Sequence, residues 1–353
     1  MTGPARIIGL GTAVPRHVVT QEQARAMAET IFRSQDRRVD RLLAVFDHCG
    51  VERRRFCVPP GWFAEPHSFG ARNDRYVDEV VPLSAESARR ALADAGLSTG
   101  GVDAVFFVSS TGLATPSPDA LLVSELGLPR TVRRDATFGH GCAGGVGGLA
   151  RAAAHARSRP GSNVLVIATE LCSLTFRIDD LSTTNLVATS LFADGSAAAV
   201  LSTVGEGPAI VADSSTLWPD TDDVMGFEFS EDGMRVVLDR SVPAIVRRHL
   251  AESVDEVCRR AEVGVDEIDH FLLHPGGAKV LDAFVDALPV DRMGLERSWA
   301  VLRDHGNMSA PTALFVLRRA FDGRSAPPPR PGDLALVSAM GPGFAAEHVL
   351  LRW

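Results

Sequence analysis

Residues 139–148 read GHGCAGGVGG and follow an apolar stretch that ends at Phe138. The run of small residues after Cys142 is typical of a helix, so this stretch predicts a strand that leads directly into a helix start. Cys142 would then lie among unpaired backbone N–H groups at the positive end of a helix dipole. Such surroundings favour thiolate over thiol, and we expect Cys142 to be a reactive nucleophile.

Two later segments carry the partners that a thiolate enzyme needs. His274 ends an apolar run in FLLHPGGAKVLD (271–282), and Asn307 lies in DHGNMSAPTALF (304–315). The end of a strand followed by a turn is where α/β proteins present functional groups. Cys142, His274 and Asn307 therefore form a candidate catalytic set for nucleophilic chemistry.

The chain alternates short apolar runs with segments of helical periodicity. Strand-like runs are ARIIGLG, VDAVFFVSS, NVLVIATE, SAAAVLST, GPAIVADS, IDHFLLH, DLALVSAM and AEHVLLRW. The helix-like segments between them include residues 84–95, 143–157, 242–261 and 311–321. This alternation predicts an α/β fold with a largely buried sheet.

The two halves of the chain also repeat each other weakly. Residues 84–112 and 253–277 both read as a helix, a polar turn, an apolar strand and a Gly-bearing loop. GHGCAGGVGGLARAA then corresponds to DHGNMSAPTALFVLRRA, which places Cys142 and Asn307 at the starts of equivalent helices. Internal repeats of this kind indicate a duplicated architecture.

A duplicated architecture predicts how the site is assembled. We expect two related halves, residues 1–205 with the nucleophile and residues 206–353 with the histidine and asparagine. Stacked face to face, the two halves would bring the two helix starts together at one site.

Composition excludes several classes of function. The 353 residues carry a net charge of −8, whereas a nucleic-acid partner requires a basic face. The N-terminus has no signal-peptide pattern, and no stretch approaches the roughly 18 apolar residues of a membrane span. Five scattered cysteines without metal-type spacing suit reduced thiols. We expect a cytoplasmic enzyme with no membrane, nucleic-acid or metal partner.

The glycines around Cys142 also satisfy the GxGxxG pattern of dinucleotide-binding loops. That pattern needs an acidic residue about 20 positions further on, and Glu170 comes somewhat later. A cysteine inside a pyrophosphate loop would also have no role. The dinucleotide interpretation is therefore disfavoured.

Each of the three candidate residues has a structural alternative. A buried cysteine is usually an inert small hydrophobe. His274 has the alternative of a satisfied core histidine, and Asn307 that of a helix N-cap.

Several short motifs together resemble one known family over essentially the whole chain. They are GCAGG around Cys142, HPGG at His274, GNMS at Asn307, LFADG around Phe192 and GPG at 341–343. With these motifs the sequence resembles the chalcone synthase-like family, the type III polyketide synthases of the thiolase superfamily. Residues 63–76 and 218–243 are more similar to the bacterial branch than to the plant one.

The resemblance implies a thiolase-like, five-layered αβαβα sandwich of two pseudo-repeated halves, assembled as a homodimer. It implies an acyltransferase in which Cys142 holds a starter taken from an acyl-CoA. His274 and Asn307 would stabilise the enolate formed when malonyl-CoA loses CO2, and repeated condensation would precede cyclisation. The only cofactor implied is coenzyme A, as the thioester of the substrates.

The resemblance also assigns residues to a substrate cavity. Phe192 matches a gatekeeping phenylalanine, although a strand-end core residue is the structural alternative. Val236 stands where plant chalcone synthases have a second gatekeeping phenylalanine, and Phe227 where they have glycine. Thr115, Thr175 and Ser309 fall at other cavity positions. These departures argue against an aromatic starter and favour an aliphatic one that yields a pyrone or resorcinol-type product.

The same comparison suggests residues for binding the CoA phosphates. Arg41 and His48 stand at basic positions of the plant enzymes, and Arg53 with its neighbours Arg54 and Arg55 forms a second basic cluster. Gly276 and Gly277, which follow His274, are further candidates for contacting CoA. The alternative for the cluster is a solvated face.

Two rival functions remain open. The β-ketoacyl carrier-protein synthases of fatty-acid initiation use Cys, His and Asn in the same order, but with HQAN, NTS and GGGF where this chain has HPGG, GNMS and GPGF. An acyltransferase with the same three catalytic residues belongs to this first alternative. The second rival is a cysteine thioester hydrolase, which would form no carbon–carbon bond.

Overall fold

The computed structural model describes residues 3–33, 39–180, 182–231 and 233–353, with the side chains of 32, 33 and 39–42 outside the description. Its strands are β1 (Arg6–Ala13), β2 (His17–Thr20), β3 (Arg53–Phe56), β4 (Ala104–Val108), β5 (Arg133–Thr137), β6 (Val164–Leu171), β7 (Asp194–Ser202), β8 (Ala209–Leu217), β9 (Met225–Ser230), β10 (Gly233–Leu238), β11 (His270–Leu273), β12 (Leu334–Gly341) and β13 (Ala345–Arg352). Its helices are α1 (Gln21–Arg33), α2 (Val39–His48), α3 (Phe69–Asp94), α4 (Pro118–Leu126), α5 (Gly144–Ser158), α6 (Thr183–Leu191), α7 (Val242–Arg260), α8 (Ala278–Ala287), α9 (Glu296–His305) and α10 (Thr312–Phe321).

The strand order contains the predicted repeat. The main sheet runs β11-β12-β13-β8-β1-β7-β6-β4-β5. In both halves of the chain, the first long strand pairs with the last one. The order β1-β7-β6-β4 in the first half therefore corresponds to β8-β13-β12-β11 in the second. Among the described residues the second half has no strand equivalent to β5. The halves join where Arg6 of β1 pairs with Ala209 of β8.

Helices separate and cover the two halves of the sheet. Helices α5 and α10 contact each other, and α5 contacts β6 of the first half and β13 of the second. Helix α3 covers β1, β6 and β7 on the outside of the first half, and α7 covers β8 and β13 of the second. The layers are therefore αβαβα, and the predicted fold class is confirmed.

The apolar core explains why the strands were visible in the sequence. Every residue of β6, β7 and β12 is buried, because these strands have helices on both faces. All eight predicted strand-like runs form strands. The residues before Cys142 differ from the expectation, because β5 is an edge strand of largely exposed residues. No helix among the described residues is long and apolar enough to cross a membrane.

Candidate active site

Cys142 lies between a strand and a helix, as predicted. Strand β5 leads into a 3₁₀ turn over Gly141–Ala143, and α5 begins at Gly144. The hydroxyl of Ser110, which follows β4, accepts hydrogen bonds from the N–H groups of Gly139 (3.1 Å) and Gly141 (3.2 Å). These bonds tie the turn to the end of the neighbouring strand, and Cys142 is 7% exposed.

The two equivalent helix starts are in contact. A Cβ atom at Gly145 would lie 2.2 Å from the carbonyl oxygen of Ala310, three residues after Asn307. Only glycine permits this approach, because real Cβ contacts are never so short. The glycine run after Cys142 thus lets α5 pack against the segment that carries Asn307.

Asn307 is not a helix N-cap, which corrects that alternative. Helix α10 begins at Thr312 and its N-cap is Pro311, so Asn307 lies in the loop before the helix. The side-chain oxygen of Asn307 accepts a hydrogen bond from the N–H of Ser309 (2.8 Å). Because that N–H can only donate, the oxygen of the amide must face it, and the NH2 group is directed away. Ser309 has a φ of 58°, a conformation that serine rarely adopts.

The NH2 group of Asn307 contacts the other parts of the site. The side chains of Asn307 and Ser309 lie near the sulfur of Cys142, where each acts to lower the pKa of the thiol. Its Nδ2 also makes a long hydrogen bond of 3.4 Å to the carbonyl oxygen of Gly276, two residues after His274. A single amide therefore joins the Cys142 turn to the loop that carries His274.

His274 directly follows β11 and is 3% exposed. Its backbone N–H donates to Ser338 of β12 (2.8 Å), and the end of β12 packs on the turn of Cys142. Neither ring nitrogen has a hydrogen-bond partner among the described residues. Buried polar atoms are nearly always paired, so two unpaired ring nitrogens indicate a place where a ligand binds.

The expectation of a resting thiolate is wrong for this site. Burial raises the pKa of Cys142 to about 11, although hydrogen bonds with Ser309 and Asn307 act in the opposite direction. Burial lowers the pKa of His274 to about 3. The helix start alone does not overcome the loss of water around the sulfur. At neutral pH the resting site therefore holds a neutral thiol and a neutral imidazole.

Glu170 is a member of the site that the sequence did not reveal as functional. Its Oε2 accepts hydrogen bonds from the N–H of Ser110 (2.9 Å) and the hydroxyls of Thr111 (2.7 Å) and Ser109 (3.4 Å). Its Oε1 is buried without a partner among the described residues. Burial raises the pKa of Glu170 to about 7, and its charge acts to raise the pKa of Cys142. The signal in the sequence was an acid near the end of an otherwise buried strand.

Cys142 opens onto a largely apolar cavity of about 460 Å³. Five of the six predicted cavity residues line it with Cys142, namely Phe192, Thr175, Phe227, Val236 and Ser309. A second cavity of about 540 Å³ lies between α1, β3 and α6. It shares Phe192, Thr175, Val236 and Cys172 with the first cavity. The sixth residue, Thr115, is exposed on the loop between β4 and α4 and lines neither of these two cavities.

The residues predicted to bind CoA have mixed positions. His48 is exposed at the end of α2, and Arg53 is exposed and pairs with Asp304 at 3.4 Å. The side chain of Arg41 lies outside the described residues. Gly276 and Gly277 form the turn between His274 and α8.

Arg54 is fully buried, so the suggestion that it binds phosphate is wrong. Its guanidinium donates to backbone carbonyl groups instead.

Comparison with known proteins identifies the family. The chain matches the N-terminal domain of the chalcone and stilbene synthases over residues 1–208 and their C-terminal domain over residues 209–353. The chain belongs to the chalcone and stilbene synthase family. It is a type III polyketide synthase of the bacterial kind and an enzyme of the acyltransferase class.

Similar proteins cover nearly the full length of the chain. A putative chalcone synthase of Bacillus subtilis (strain 168) is 37% identical over 99% of both proteins. A 1,3,6,8-tetrahydroxynaphthalene synthase of Streptomyces peucetius subsp. caesius is 34% identical over 98% of this chain and 93% of its own. The crystal structure of 1,3,6,8-tetrahydroxynaphthalene synthase from Streptomyces coelicolor A3(2), a bacterial type III polyketide synthase, superimposes with a TM-score of 0.93 at 31% identity over 99% of both chains.

Proposed function

We propose that this type III polyketide synthase condenses malonyl-CoA onto a starter acyl group held as a thioester on Cys142. The observation that carries the proposal is the position of the Asn307 side chain near the Cys142 sulfur, with the His274 loop hydrogen-bonded to the same amide. The half formed by residues 1–205 would supply the nucleophile, and residues 206–353 the histidine and asparagine.

Loading of the starter begins with proton transfer from the thiol to the imidazole. In the resting site both groups are neutral, so a ring nitrogen of His274 is free to accept the proton of Cys142. The thiolate and the imidazolium form together, and their mutual attraction in a poorly hydrated site offsets the desolvation of each charge. The thiolate then attacks the carbonyl carbon of the acyl-CoA, and the CoA thiolate leaves with the proton from His274.

Decarboxylation of malonyl-CoA supplies the carbanion equivalent. The bond to the carboxylate carbon breaks, CO2 leaves, and the electron pair becomes an enolate whose charge lies on the thioester oxygen. The NH2 of Asn307 and an N–H of His274 would donate to that oxygen. One such preorganised donor accounts for about 3–4 kcal/mol. The enolate carbon then attacks the Cys142 thioester, and the sulfur leaves as thiolate for the next cycle.

The cavity favours an aliphatic starter. Its lining by Phe192, Val236 and Phe227 is apolar, and the second cavity extends the apolar volume beyond Phe192 and Val236. Phe192 would also present an apolar face to the malonyl carboxylate, which favours its loss as neutral CO2. We infer a pyrone or resorcinol-type product, or another aromatic polyketide.

In this proposal the CoA thioesters are the only small molecules required, because the thioester already activates the substrate. Arg53, His48 and the Gly276–Gly277 turn are the candidate CoA contacts. The enzyme would act in the cytoplasm.

A homodimer is part of the same proposal. Strand β5 is an edge strand with largely exposed residues, and Phe138, the residue that directly follows it, has an apolar side chain that is 48% exposed. An unpaired edge beside exposed apolar side chains is a surface that a second copy covers. Sedimentation equilibrium of the purified chain tests this part of the proposal.

Mass spectrometry over a panel of acyl-CoA starters tests the substrate assignment. We expect malonyl-CoA to be consumed with free acyl-CoA alone, and the products to contain the starter carbon chain. If malonyl groups are consumed only from a carrier protein, the initiation synthase alternative is correct.

A further inference from the structure

Arg54 is a fully buried cation whose hydrogen-bond partners among the described residues are neutral groups, and the charge of Asp194 also stabilises it. It lies in β3, and its Nη1 donates to the carbonyl oxygens of Thr189 (2.6 Å) and Phe192 (3.0 Å). Its Nη2 donates to the side-chain oxygen of Gln21 (2.7 Å). Burial lowers the pKa of Arg54 to about 10, so the guanidinium stays charged at neutral pH. Burying a charge is costly, so such a residue needs a compensating contact.

The end of helix α6 provides the hydrogen-bonded part of that compensation. The last carbonyl groups of a helix lack partners within the helix and carry a partial negative charge. Arg54 binds two such groups, at Thr189 and Phe192. The amide of Gln21, whose oxygen accepts from Arg54, donates to a third, at Ser190 (3.0 Å).

The fourth carbonyl group of this series connects Arg54 to the active site. The backbone oxygen of Leu191 accepts a hydrogen bond from the backbone N–H of Asn307 (2.9 Å). The backbone oxygen of Asn307 in turn accepts one from the backbone N–H of Ala193 (2.8 Å). Phe192 lies between these two bonds, and its side chain lines the cavity of Cys142. The segment that Arg54 holds therefore sets the backbone position of Asn307 and the direction of the Phe192 side chain.

We propose that Arg54 is a positioning residue of this enzyme, which places the Asn307 amide and the Phe192 side chain for decarboxylation by holding the end of helix α6. The proposal depends on the roles given above to Asn307 and Phe192. An arginine suits this task because its planar fork reaches three oxygens at once, whereas the ammonium group of lysine is a compact point donor.

The variant Arg54→Lys tests the proposal in the full-length enzyme. We expect kcat for malonyl-CoA decarboxylation to fall about 10- to 100-fold, because a displacement of about 1 Å has effects of that size. KM for malonyl-CoA should change less than about threefold. The rate at which iodoacetamide alkylates Cys142 should change by a smaller factor than kcat does, because the turn that holds Cys142 is bonded to Ser110 and not to α6.

Arg297→Lys is the matched control. Arg297 is also a buried arginine that donates to a backbone carbonyl, that of Pro327, but it lies at the start of α9. We expect its kcat and KM to match the parent. If Arg297→Lys lowers kcat as much as Arg54→Lys does, a general loss of packing explains both results and the proposal is wrong.

A double-mutant cycle with Asn307→Ala separates positioning from stability. Because Arg54 acts partly through Asn307, adding Arg54→Lys to Asn307→Ala should lower decarboxylation by a smaller factor than Arg54→Lys does in the parent, and the remaining effect comes from Phe192. Independent, multiplicative effects would overturn the proposal, as would a raised KM at unchanged kcat. If Asn307→Ala alone leaves decarboxylation intact, the proposed role of Asn307 fails, whatever Arg54 does.

Gln21→Met serves if Arg54→Lys does not fold. It removes the acceptor of Nη2 and the donor to Ser190 but leaves the two carbonyl contacts of Arg54. We expect a smaller fall in kcat, about threefold to tenfold, again without a change in KM. An unchanged kcat in a folded Gln21→Met enzyme would contradict the proposal.

Discussion

Glu170→Gln should change how the stability of the enzyme depends on pH. The folded state raises the pKa of Glu170 from 4.5 to about 7, so the folded state binds this proton more tightly than the unfolded chain does. The protonated carboxyl group of Glu170 contributes its full stabilisation to the folded state below pH 4.5, and this contribution is lost as the pH rises through 7. At 1.36 kcal/mol per pH unit, ionising this buried carboxyl group lowers the free energy of unfolding by about 3 kcal/mol.

Glutamine removes this dependence while retaining the contacts. Its carbonyl oxygen can accept the bonds that Oε2 accepts from Ser110, Thr111 and Ser109, and its NH2 group takes the place of the unpartnered Oε1. Any penalty for that unpaired NH2 group is the same at every pH. The melting temperature of Glu170→Gln relative to the parent should therefore rise by about 3–4 °C between pH 5 and pH 8, for a chain of this length.

Differential scanning fluorimetry of both proteins from pH 5 to pH 8 measures this difference. Glu125→Gln is a suitable control, because Glu125 forms an exposed ion pair with Arg89 and such pairs contribute about 0–1 kcal/mol. A difference between Glu170→Gln and the parent that stays constant or falls with pH would refute the reasoning.

Three further substitutions test the catalytic assignments. Cys142→Ala should abolish chain extension but retain malonyl-CoA decarboxylation, since His274 and Asn307 remain. CO2 release by the folded variant and mass spectrometry of its products check both outcomes. Complete loss of CO2 release would contradict the assignment of decarboxylation to His274 and Asn307. Asn307→Ala should lower both activities about 100- to 1000-fold, the effect of one oxyanion donor, in steady-state assays; a loss below tenfold contradicts that role. Val236→Phe narrows the junction of the two cavities and should lower kcat/KM for long aliphatic acyl-CoA starters at least about tenfold relative to acetyl-CoA. Val211→Phe, on an exposed part of β8, is the control and should leave that ratio unchanged. Equal effects of the two variants would disprove the cavity assignment.

The parts of the fold that the sequence reveals are those that tertiary contacts bury on all sides. Strands β6, β7 and β12 are buried throughout and therefore appear as apolar runs, and the glycine run after Cys142 predicts a close helix contact. The β9–β10 hairpin and helix α6 were not predicted, because β9 is half exposed and α6 is a short segment without a strong apolar face.

The sequence indicates which residues form the candidate site better than it indicates their protonation states and orientations. Cys142, His274 and Asn307 could be named from motifs, but the pKa of Cys142 depends on burial by residues distant in sequence. The orientation of the Asn307 amide depends on the left-handed conformation of Ser309. Arg54 was grouped with a surface cluster, because β3 alone does not reveal which of its arginines faces inward.

The most direct test combines carbon-labelled malonyl-CoA with an aliphatic acyl-CoA and the purified enzyme, followed by peptide mapping after an acid quench. We predict release of labelled CO2, a cyclised product that contains the remaining malonyl carbons, and an acyl adduct on the peptide that contains Cys142. Release of free malonate without CO2, or an adduct confined to Cys172 or another cysteine, would contradict the central claim.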